Sequence, residues 1–351
     1  MKKIKSKSAG DVNYYMNPNI NSHVSNHKNK DRIKLDLIDK KILFELDKNA
    51  RIPTTQLAKK LNISRETCKY RISNLIKNGV IEKFIAIINP NKLGYKMYKI
   101  HLQLTNIGEE REKFYDFLSK HTYVYWMGIC DGSWDLILTM YAHDATHLYE
   151  IINEILYKFR NIIVRKVVGT FVDAFLYRKS FFTNQIHKVE KIGGTVVFNY
   201  VDNIDKKIIE ILSNDARLPI TELAKKTETT AGKLRHRIKR LEEKEIILGY
   251  RILLNLPALN LETFKALIYF NYIDEKREKT LLEYLHQNPK TSYYVRVISP
   301  WEGEVEFIVE NYTEFNMIIN DIRKKFADLI KNYESVLISR EAWLPGFYKA
   351  I

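Results

Sequence analysis

The chain has 351 residues, a length that suggests two or three domains. Its hydrophobic content of 45% and charged content of 28% are typical of folded globular proteins, but its net charge of +15 favours a polyanionic partner such as nucleic acid. Cys68 and Cys130 are too few for a disulfide framework, which indicates a reducing compartment. Since no apolar run reaches the roughly 20 residues of a membrane-spanning helix, we expect a cytoplasmic protein with no membrane partner.

Residues 1–31 are rich in Lys, Asn, Ser and His, and they show neither a helical nor a strand period. This composition predicts a disordered basic arm. The arm either adds non-specific affinity for phosphates or serves only as a solubilising tail.

A helical period starts at Leu35, and the apolar residues of 35–46 form one stripe. Pro53 suits the first turn of a second helix, Ser64 suits the N-cap of a third, and Gly79 suits the left-handed position after its end. The mostly apolar segment 80–88 reads as a strand. Three short helices followed by a β element predict a winged helix-turn-helix.

The segment after residue 90 has a different pattern, in which strands and helices alternate. The predicted elements are 98–104, 109–119, 123–129, 135–141, 145–159 and 162–170. Their order, βαββαβ, is that of a ferredoxin-like sandwich with a split βαβ unit.

The same series of elements occurs twice, with a constant offset of 166 residues through the helical part. The repeated strings are Asp39–Ile42 with Asp205–Ile208, Ala50-Arg51 with Ala216-Arg217, Leu57–Lys60 with Leu223–Lys226, and Arg71-Ile72 with Arg237-Ile238. A repeat this long is a duplicated domain, because solenoid units span only roughly 20–50 residues. The sequence therefore predicts an α+β chain that is an internal pseudo-dimer and that is able to assemble into larger homo-oligomers.

The second copy is predicted to have the same elements as the first. They are 204–212, 221–226, 230–241, 246–255, 264–272, 275–286, 292–298, 305–309, 313–329 and 335–339. This copy has Gly232 inside its third helix, Glu245 in place of Gly79, and Leu256 in place of Pro90. Because glycine costs a helix interior about 1 kcal/mol relative to alanine, we expect the second copy's third helix to be the weaker one.

These patterns divide the chain into six segments. They are the basic arm (1–31), winged helix-turn-helix 1 (32–90), αβ sandwich 1 (91–179), a linker (180–201), winged helix-turn-helix 2 (202–256) and αβ sandwich 2 (257–351).

The third helix of each copy is the candidate DNA reader, because this helix of a helix-turn-helix enters the major groove and meets base edges near its N-terminus. The candidate DNA-binding residues are Ser64, Arg65, Lys69, Tyr70 and Ser73 in the first copy, and Lys233, Arg235, His236, Lys239 and Arg240 in the second. Arginine pairs with guanine through two hydrogen bonds, and lysine neutralises phosphate. The alternative is an ordinary solvated helix face.

The sequence resembles the Lrp/AsnC family of transcriptional regulators, also called feast/famine proteins. The resemblance lies in Ile63-Ser64, Arg71-Ile72, Leu75, Gly79-Val80-Ile81, Asn89-Pro90 and Leu93-Gly94, and in the first two helices of each copy. It implies a winged helix that binds double-stranded DNA and an αβ sandwich that dimerises and binds small effectors, typically amino acids. Two unlike copies in one chain then predict a sequence-specific regulator whose target has two unlike half-sites.

The string Gly132-Ser133-Trp134-Asp135 resembles the family's Gly-x-aromatic-Asp turn at the effector site. A carboxylate at Asp135 is suited to hold an ammonium group of an effector. A plain hairpin turn explains the same residues. In the second copy we align Glu304 with Asp135, which requires an extra shift, so we expect no second equivalent pocket there.

No motif argues for catalysis. The chain has no Gly-rich phosphate loop, no HExxH pair and no CxxC spacing, so we predict no catalytic residue, no metal site and no cofactor. Two alternatives stay open. The fold is similar to that of the sirohaem decarboxylases, which bind a tetrapyrrole, and the sandwiches of this chain alternatively serve only to sense a ligand or to assemble.

Overall fold

The computed structural model describes residues 33–106, 108–272, 274–344 and 350–351. The predicted basic arm lies outside the described residues. The elements below follow the chain order.

The first winged helix, here called head 1 (33–89), consists of three helices and a strand. They are α1 (Leu37–Lys48), α2 (Thr54–Leu61), α3 (Arg65–Lys77) and β1 (Ile81–Ile88). Ser64 is the N-cap of α3, since its hydroxyl accepts the backbone N–H of Thr67 at 3.0 Å. Gly79, with φ of 71°, follows the helix end, as predicted.

The first sandwich follows in the predicted order. Its elements are β2 (Lys96–Leu104), α4 (Gly108–Lys120), β3 (Val124–Gly132), β4 (Leu136–Ala142), α5 (Ala145–Phe159) and β5 (Ile163–Leu176). The segment predicted to be a plain linker contains a short strand, β6 (Glu190–Gly193), which pairs with the end of β5.

The second copy repeats this arrangement. Head 2 (202–255) contains α6 (Asn203–Asn214), α7 (Ile220–Lys226), α8 (Ala231–Glu243) and β7 (Ile247–Leu254). The second sandwich contains β8 (Glu262–Phe270), α9 (Glu275–Gln287), β9 (Thr291–Ile298), β10 (Gly303–Val309), α10 (Tyr312–Lys325) and β11 (Ile330–Trp343). The α10 helix ends at Lys325, four residues before the predicted end.

The two heads share one β element. Strands β1 and β7 pair antiparallel, with Phe84 opposite Ile252, and form a two-stranded ribbon between the heads. The backbone N–H of Ala50 donates to Tyr250 at 2.9 Å, and that of Ala216 donates to Phe84 at 2.7 Å. Each head is therefore tied to the ribbon strand of the other copy, which a local sequence pattern does not reveal.

The sandwich strands close into one eight-stranded barrel. Their order is β2-β4-β3-β11-β8-β10-β9-β5, and β5 pairs with β2 to complete the ring. Within each copy the order is that of the predicted split βαβ unit. Between copies, β5 pairs with β9 and β11 pairs with β3.

Strands β5 and β11 run from one copy's sheet into the other's, and each has 14 residues. The first part of β5 pairs with β2, and its last part pairs with β9. The predicted strands 162–170 and 335–339 ended too early because the residues that follow them, 171–176 and 340–343, pair with strands of the other copy, more than 100 residues away in sequence. The second prediction also started too late, since residues 330–334 pair with β8 of the same copy.

The barrel interior holds large aromatic side chains. Trp134 and Trp301 are both 1% exposed, with their ring centroids 5.9 Å apart. Helices α4, α5, α9 and α10 cover the outside through buried faces such as Phe114 and Leu118 on α4. The interior also encloses charged side chains, which are described below.

Candidate nucleic-acid interface

The predicted reading face of α3 lies on the surface. Its inward residues Cys68, Ile72 and Leu75 are buried, which turns the opposite face outward. The predicted residues on that outward face are all exposed, namely Ser64, Arg65, Lys69, Tyr70 and Ser73. The large ring of Tyr70 is 67% exposed and has no role in the core.

The reading face of α8 is similar but less uniform. Lys233, Arg235, His236 and Lys239 are exposed. Arg240 is half-exposed, and its guanidinium is paired with the fully buried carboxylate of Asp205. Arg240 therefore neutralises a buried charge of α6, which reduces its freedom to reach a DNA duplex.

A repeated ion pair holds each reading helix against the first helix of its head. Arg71 contacts Asp39 at 2.8 Å and also Asp36. Arg237 contacts Asp202 at 2.8 Å and Asp205 at 2.9 Å. The hydrogen bonds to these carboxylates raise the pKa of both arginines. Sequence reasoning missed this contact, although the repeat of both residue types was the signal for it.

A second repeated motif joins the heads. The guanidinium of Arg51 donates to the carbonyl of Ala216 at 2.5 Å, and that of Arg217 donates to the carbonyl of Ala50 at 2.7 Å. These reciprocal contacts cross the pseudo-two-fold axis. Together with the ribbon, they fix the distance between the two reading helices.

The heads differ in charge. Head 1 has 12 basic and 6 acidic side chains, whereas head 2 has 12 basic and 9 acidic ones. Since phosphate neutralisation dominates affinity for DNA, head 1 has the stronger electrostatic attraction.

The predicted effector turn is a closely packed corner of the barrel. Gly132 has φ of 130°, and a Cβ there would lie 2.8 Å from the Ser335 carbonyl. Trp134 points into the barrel interior, and Ser133 is half-buried, with its carbonyl accepting from Gln103. The carboxylate of Asp135 accepts from the Leu104 N–H at 2.8 Å and is paired with Arg111 at 3.0 Å. Asp135 therefore has internal partners already.

The structure corrects our alignment of this turn in the second copy. Glu302 replaces Asp135, because its carboxylate accepts the N–H of Phe270 at 3.0 Å, as Asp135 does for Leu104. Glu304, which we aligned with Asp135, lies inside the barrel and contacts Lys265. Glutamate is one methylene longer than aspartate, yet the Glu302 carboxylate reaches the same backbone N–H position. The sequence did not reveal this equivalence because the two residue types differ.

The histidines of the first sandwich separate into different environments. His101 is 1% exposed, and its ring lies 4.6 Å from that of Trp301. Burial lowers the pKa of His101, although the charge of Glu304, whose Oε1 lies 3.3 Å from the His101 Nε2, opposes this. His143 and His147 stack near the surface, with ring centroids 5.2 Å apart. Among the described residues, no group of three or more metal-ligating side chains is present.

Comparisons with known proteins agree with the observed heads. The family described as winged helix-turn-helix DNA-binding matches twice, over residues 35–82 and 201–247. The HTH-type transcriptional regulator LrpA of Pyrococcus horikoshii is 34% identical over 122 residues, which are 34% of this chain and 84% of that one. An uncharacterized HTH-type transcriptional regulator of Pyrococcus furiosus is 35% identical over 130 residues, which are 36% of this chain and 87% of the relative. Each relative therefore has about the length of one copy.

The siroheme decarboxylase NirDL is similar in fold to both copies together. The siroheme decarboxylase NirDL superposes with a TM-score of 0.60 over 90% of this chain and 97% of its own, at 14% sequence identity. At this identity the likeness shows a shared fold and nothing about activity.

The lengths and compositions of the helices bear on whether any of them could cross a membrane. Among the helices in the described ranges, none has both the length and the apolar composition that crossing a bilayer requires.

Proposed function

Since the chain belongs to the Lrp/AsnC family of HTH-type transcriptional regulators, we propose that α3 and α8 read two unlike half-sites of one duplex. The main observation in support is that the reading faces of α3 and α8 are both exposed. The two heads that bear them are held together by the ribbon and by the contacts of Arg51 and Arg217. A fixed pair of reading helices requires half-sites at a fixed spacing. As a regulator of transcription, the protein would work in the cytoplasm.

The unlike half-sites follow from the residues that occupy equivalent positions. Arg65, Lys69 and Tyr70 on α3 correspond to Ala231, Arg235 and His236 on α8. A homodimer would present the same residues twice and so require a palindrome. Here Arg65, which is suited to read a guanine, stands at the start of α3, whereas the corresponding arginine of α8, Arg235, stands one turn after the helix start.

Selection of binding sites from random duplex DNA tests this proposal. We expect an enriched sequence with two different halves at constant spacing. An enriched perfect palindrome would contradict it, and binding that stays constant between low and high salt would contradict DNA binding as such.

Variants assign the two halves to the two heads. Arg65→Ala should relax base preference in one half-site only, and Arg235→Ala in the other, each by about 1–3 kcal/mol of discrimination. The matched controls Lys59→Ala and Lys225→Ala alter exposed lysines on α2 and α7 and should weaken binding to all sequences alike. If the arginine variants behave like the lysine variants, α3 and α8 do not read bases.

An amino-acid effector at Gly132, Ser133, Trp134 and Asp135 stays a prediction that rests on the family resemblance. The Arg111 partner of Asp135 argues that an incoming ammonium group would have to displace an ion pair. Calorimetric titration with the twenty amino acids, repeated on Asp135→Asn, checks it. Binding that is equal in both proteins would remove this turn from consideration.

A tetrapyrrole enzyme is the less supported alternative. NirDL was solved in complex with an iron-uroporphyrin III analogue. In this chain the barrel interior holds the buried rings of Trp134 and Trp301 and the ion pairs of Lys265 with Glu304 and Glu306. A Soret-type absorbance band that copurifies with the protein would reverse this ranking.

A further inference from the structure

The reading helix α3 has a single acidic residue, Glu66, at its second position. Glu66 is exposed, and it precedes the exposed residues Lys69, Tyr70 and Ser73 by three, four and seven positions. Residues at this spacing lie on one side of a helix. Glu66 therefore faces the same way as three of the predicted DNA-binding residues, although it was not among them.

The carboxylate of Glu66 has no cationic partner among the residues that the structure describes. It forms no ion pair with Lys69, three residues further along α3. Four other carboxylates of head 1 are paired with cations at 2.6–2.8 Å, namely Asp36, Asp39, Glu45 and Asp47. An unpaired anion on the reading face of a basic head therefore requires an explanation.

The start of α3 does not depend on Glu66 for its cap. Ser64 accepts the backbone N–H of Thr67 at 3.0 Å, and the hydroxyl oxygens of these two residues are 2.9 Å apart. Because Thr67 occupies the third position of the helix, no glutamate can complete a capping box there. The local contribution that remains for Glu66 is a modest favourable interaction with the helix dipole.

A carboxylate that faces DNA is repelled by the phosphates, so it is favourable only where it meets a hydrogen-bond donor of a base. The donors in the major groove are the amino groups of cytosine and adenine. Cytosine presents its N4 amino group, which suits a carboxylate, whereas adenine presents the acceptor N7 beside its amino group, which suits an amide. The N-terminal part of a recognition helix, where Glu66 lies, is the part that meets base edges.

We propose that Glu66 accepts a hydrogen bond from the N4 amino group of a cytosine in the half-site of head 1. This inference rests on the proposed function, since it assigns one base of that half-site. The equivalent residue of α8 is Gly232, which has no side chain. Head 2 therefore requires no cytosine at the corresponding base pair, which adds to the difference between the two half-sites.

Two variants of Glu66 test the base assignment. The measurement is a competition gel shift at constant salt, with the duplex selected by the wild type and with duplexes changed at single base pairs. The half-site of head 1 is the one in which Arg65→Ala relaxes the base preference. In the wild type, replacing the cytosine read by Glu66 should weaken binding about tenfold.

Glu66→Ala should reduce this tenfold ratio to near one and leave the preferences at the other base pairs unchanged. Glu66→Gln should instead prefer adenine at the same position, because a glutamine amide pairs with N6 and N7 of adenine. A change from cytosine to adenine at one base pair is a result that a general loss of stability does not produce.

Gly232→Glu transfers the carboxylate to α8. A Cβ at Gly232 has no neighbour within 4 Å, and glutamate has a higher helix propensity than glycine, so we expect this variant to fold. It should create a cytosine preference of about tenfold at one position of the head 2 half-site.

Glu222→Gln is the matched control, because it removes an exposed carboxylate from α7, outside the reading helices. It should change the affinity for all duplexes alike and leave every base preference as in the wild type.

Loss of one cytosine preference in Glu66→Ala, and its change to adenine in Glu66→Gln, support the inference. If both variants keep the wild-type preference at every base pair, Glu66 does not read a base and the proposed function stands without it. A glutamate that interacts only with the helix dipole would give this result together with a lower urea midpoint. If the wild type selects no sequence at all, the proposed function fails and this inference fails with it.

Discussion

Single residues show where the two copies differ although their folds are the same. Gly79 and Glu245 occupy equivalent positions after α3 and α8, and both adopt a left-handed backbone, with φ of 71° and 55°. Glycine accepts this conformation freely, whereas glutamate does not. The weakness of the second copy's third helix stays a prediction, and the left-handed backbone of Glu245 at the helix end supports it in addition to Gly232.

We expect Glu245→Gly to stabilise head 2 by up to about 1 kcal/mol. The lost contact of Glu245 with Lys92 costs little, because Glu245 is 62% exposed. The matched change Gly79→Ala should destabilise head 1 by about 1 kcal/mol; a Cβ there has no neighbour within 4 Å, so the effect is one of backbone conformation. Urea unfolding midpoints measure both, and changes of the same sign would contradict the explanation.

The buried Lys99 on β2 gives a prediction of how the free energy of unfolding depends on pH. Its pKa in the folded protein, about 8, lies below the ordinary lysine value of 10.5. The unfolded state therefore binds more protons, so this group destabilises the fold fully below about pH 8 and progressively less as the pH rises toward 10.5.

Lys99→Met should consequently be more stable than the wild type at pH 7 by at most about 3 kcal/mol, because loss of the ion pair with Glu304 offsets part of the gain. This advantage should shrink by about 1 kcal/mol at pH 9. Urea titrations of both proteins at the two pH values measure it. An advantage that grows with pH would show that the lysine is stabilised, not strained, by its surroundings.

At the scale of elements, the two heads are attached to the barrel differently. The carboxylate of Asp47 at the end of α1 is fully buried and accepts from Arg251 on β7 at 2.8 Å and 3.1 Å, and from the Lys179 ammonium at 3.1 Å. Although burial opposes them, these cations hold the pKa of Asp47 well below its usual range. The equivalent position on α6 is Ser213, which lines a cavity with Trp343 and Leu344.

Asp47→Asn should destabilise the protein by about 3–5 kcal/mol, because it leaves buried cations without their carboxylate. The control Ser213→Ala should cost less than about 1 kcal/mol, since the Ser213 hydroxyl only caps the carbonyl of Ile209 within its own helix. Thermal unfolding measures the difference. Similar losses in both variants would show that the ionic network does not anchor head 1.

At the scale of the molecule, the closed barrel makes the two copies unequal partners. Copy one brings Lys99 and His101 to the interior, and copy two brings Lys265, Glu304 and Glu306. A barrel built from two first copies would bury two Lys99 side chains, each opposite Thr139, without a carboxylate from Glu304 or Glu306. A barrel built from two second copies would bury two Lys265 side chains with four glutamates. The interior charges thus favour pairing between unlike copies.

Fragments 1–199 and 200–351 test this consequence. Coexpressed, they should copurify as a one-to-one complex, and mixing should give the unlike pair in preference to either homodimer. Native mass spectrometry distinguishes the species. A statistical mixture of the three dimers would show that the interior charges do not select the partner.

Most helices and strands and their order could be predicted from the sequence, because helix caps and apolar periods depend on residues close together in the chain. The duplication was visible as a set of repeated strings at a constant offset of 166 residues. Ser64 as N-cap, Gly79 after the helix end and the exposed face of α3 all follow from neighbours within a few residues. The shared ribbon, the closure of the barrel and the equivalence of Glu302 with Asp135 became visible only in the three-dimensional structure. Each of these depends on backbone pairing between segments far apart in the chain, and such pairing leaves no period in the sequence. The interior charges belong to the same class, since Lys99 and Glu304 become neighbours only when the two copies close around them.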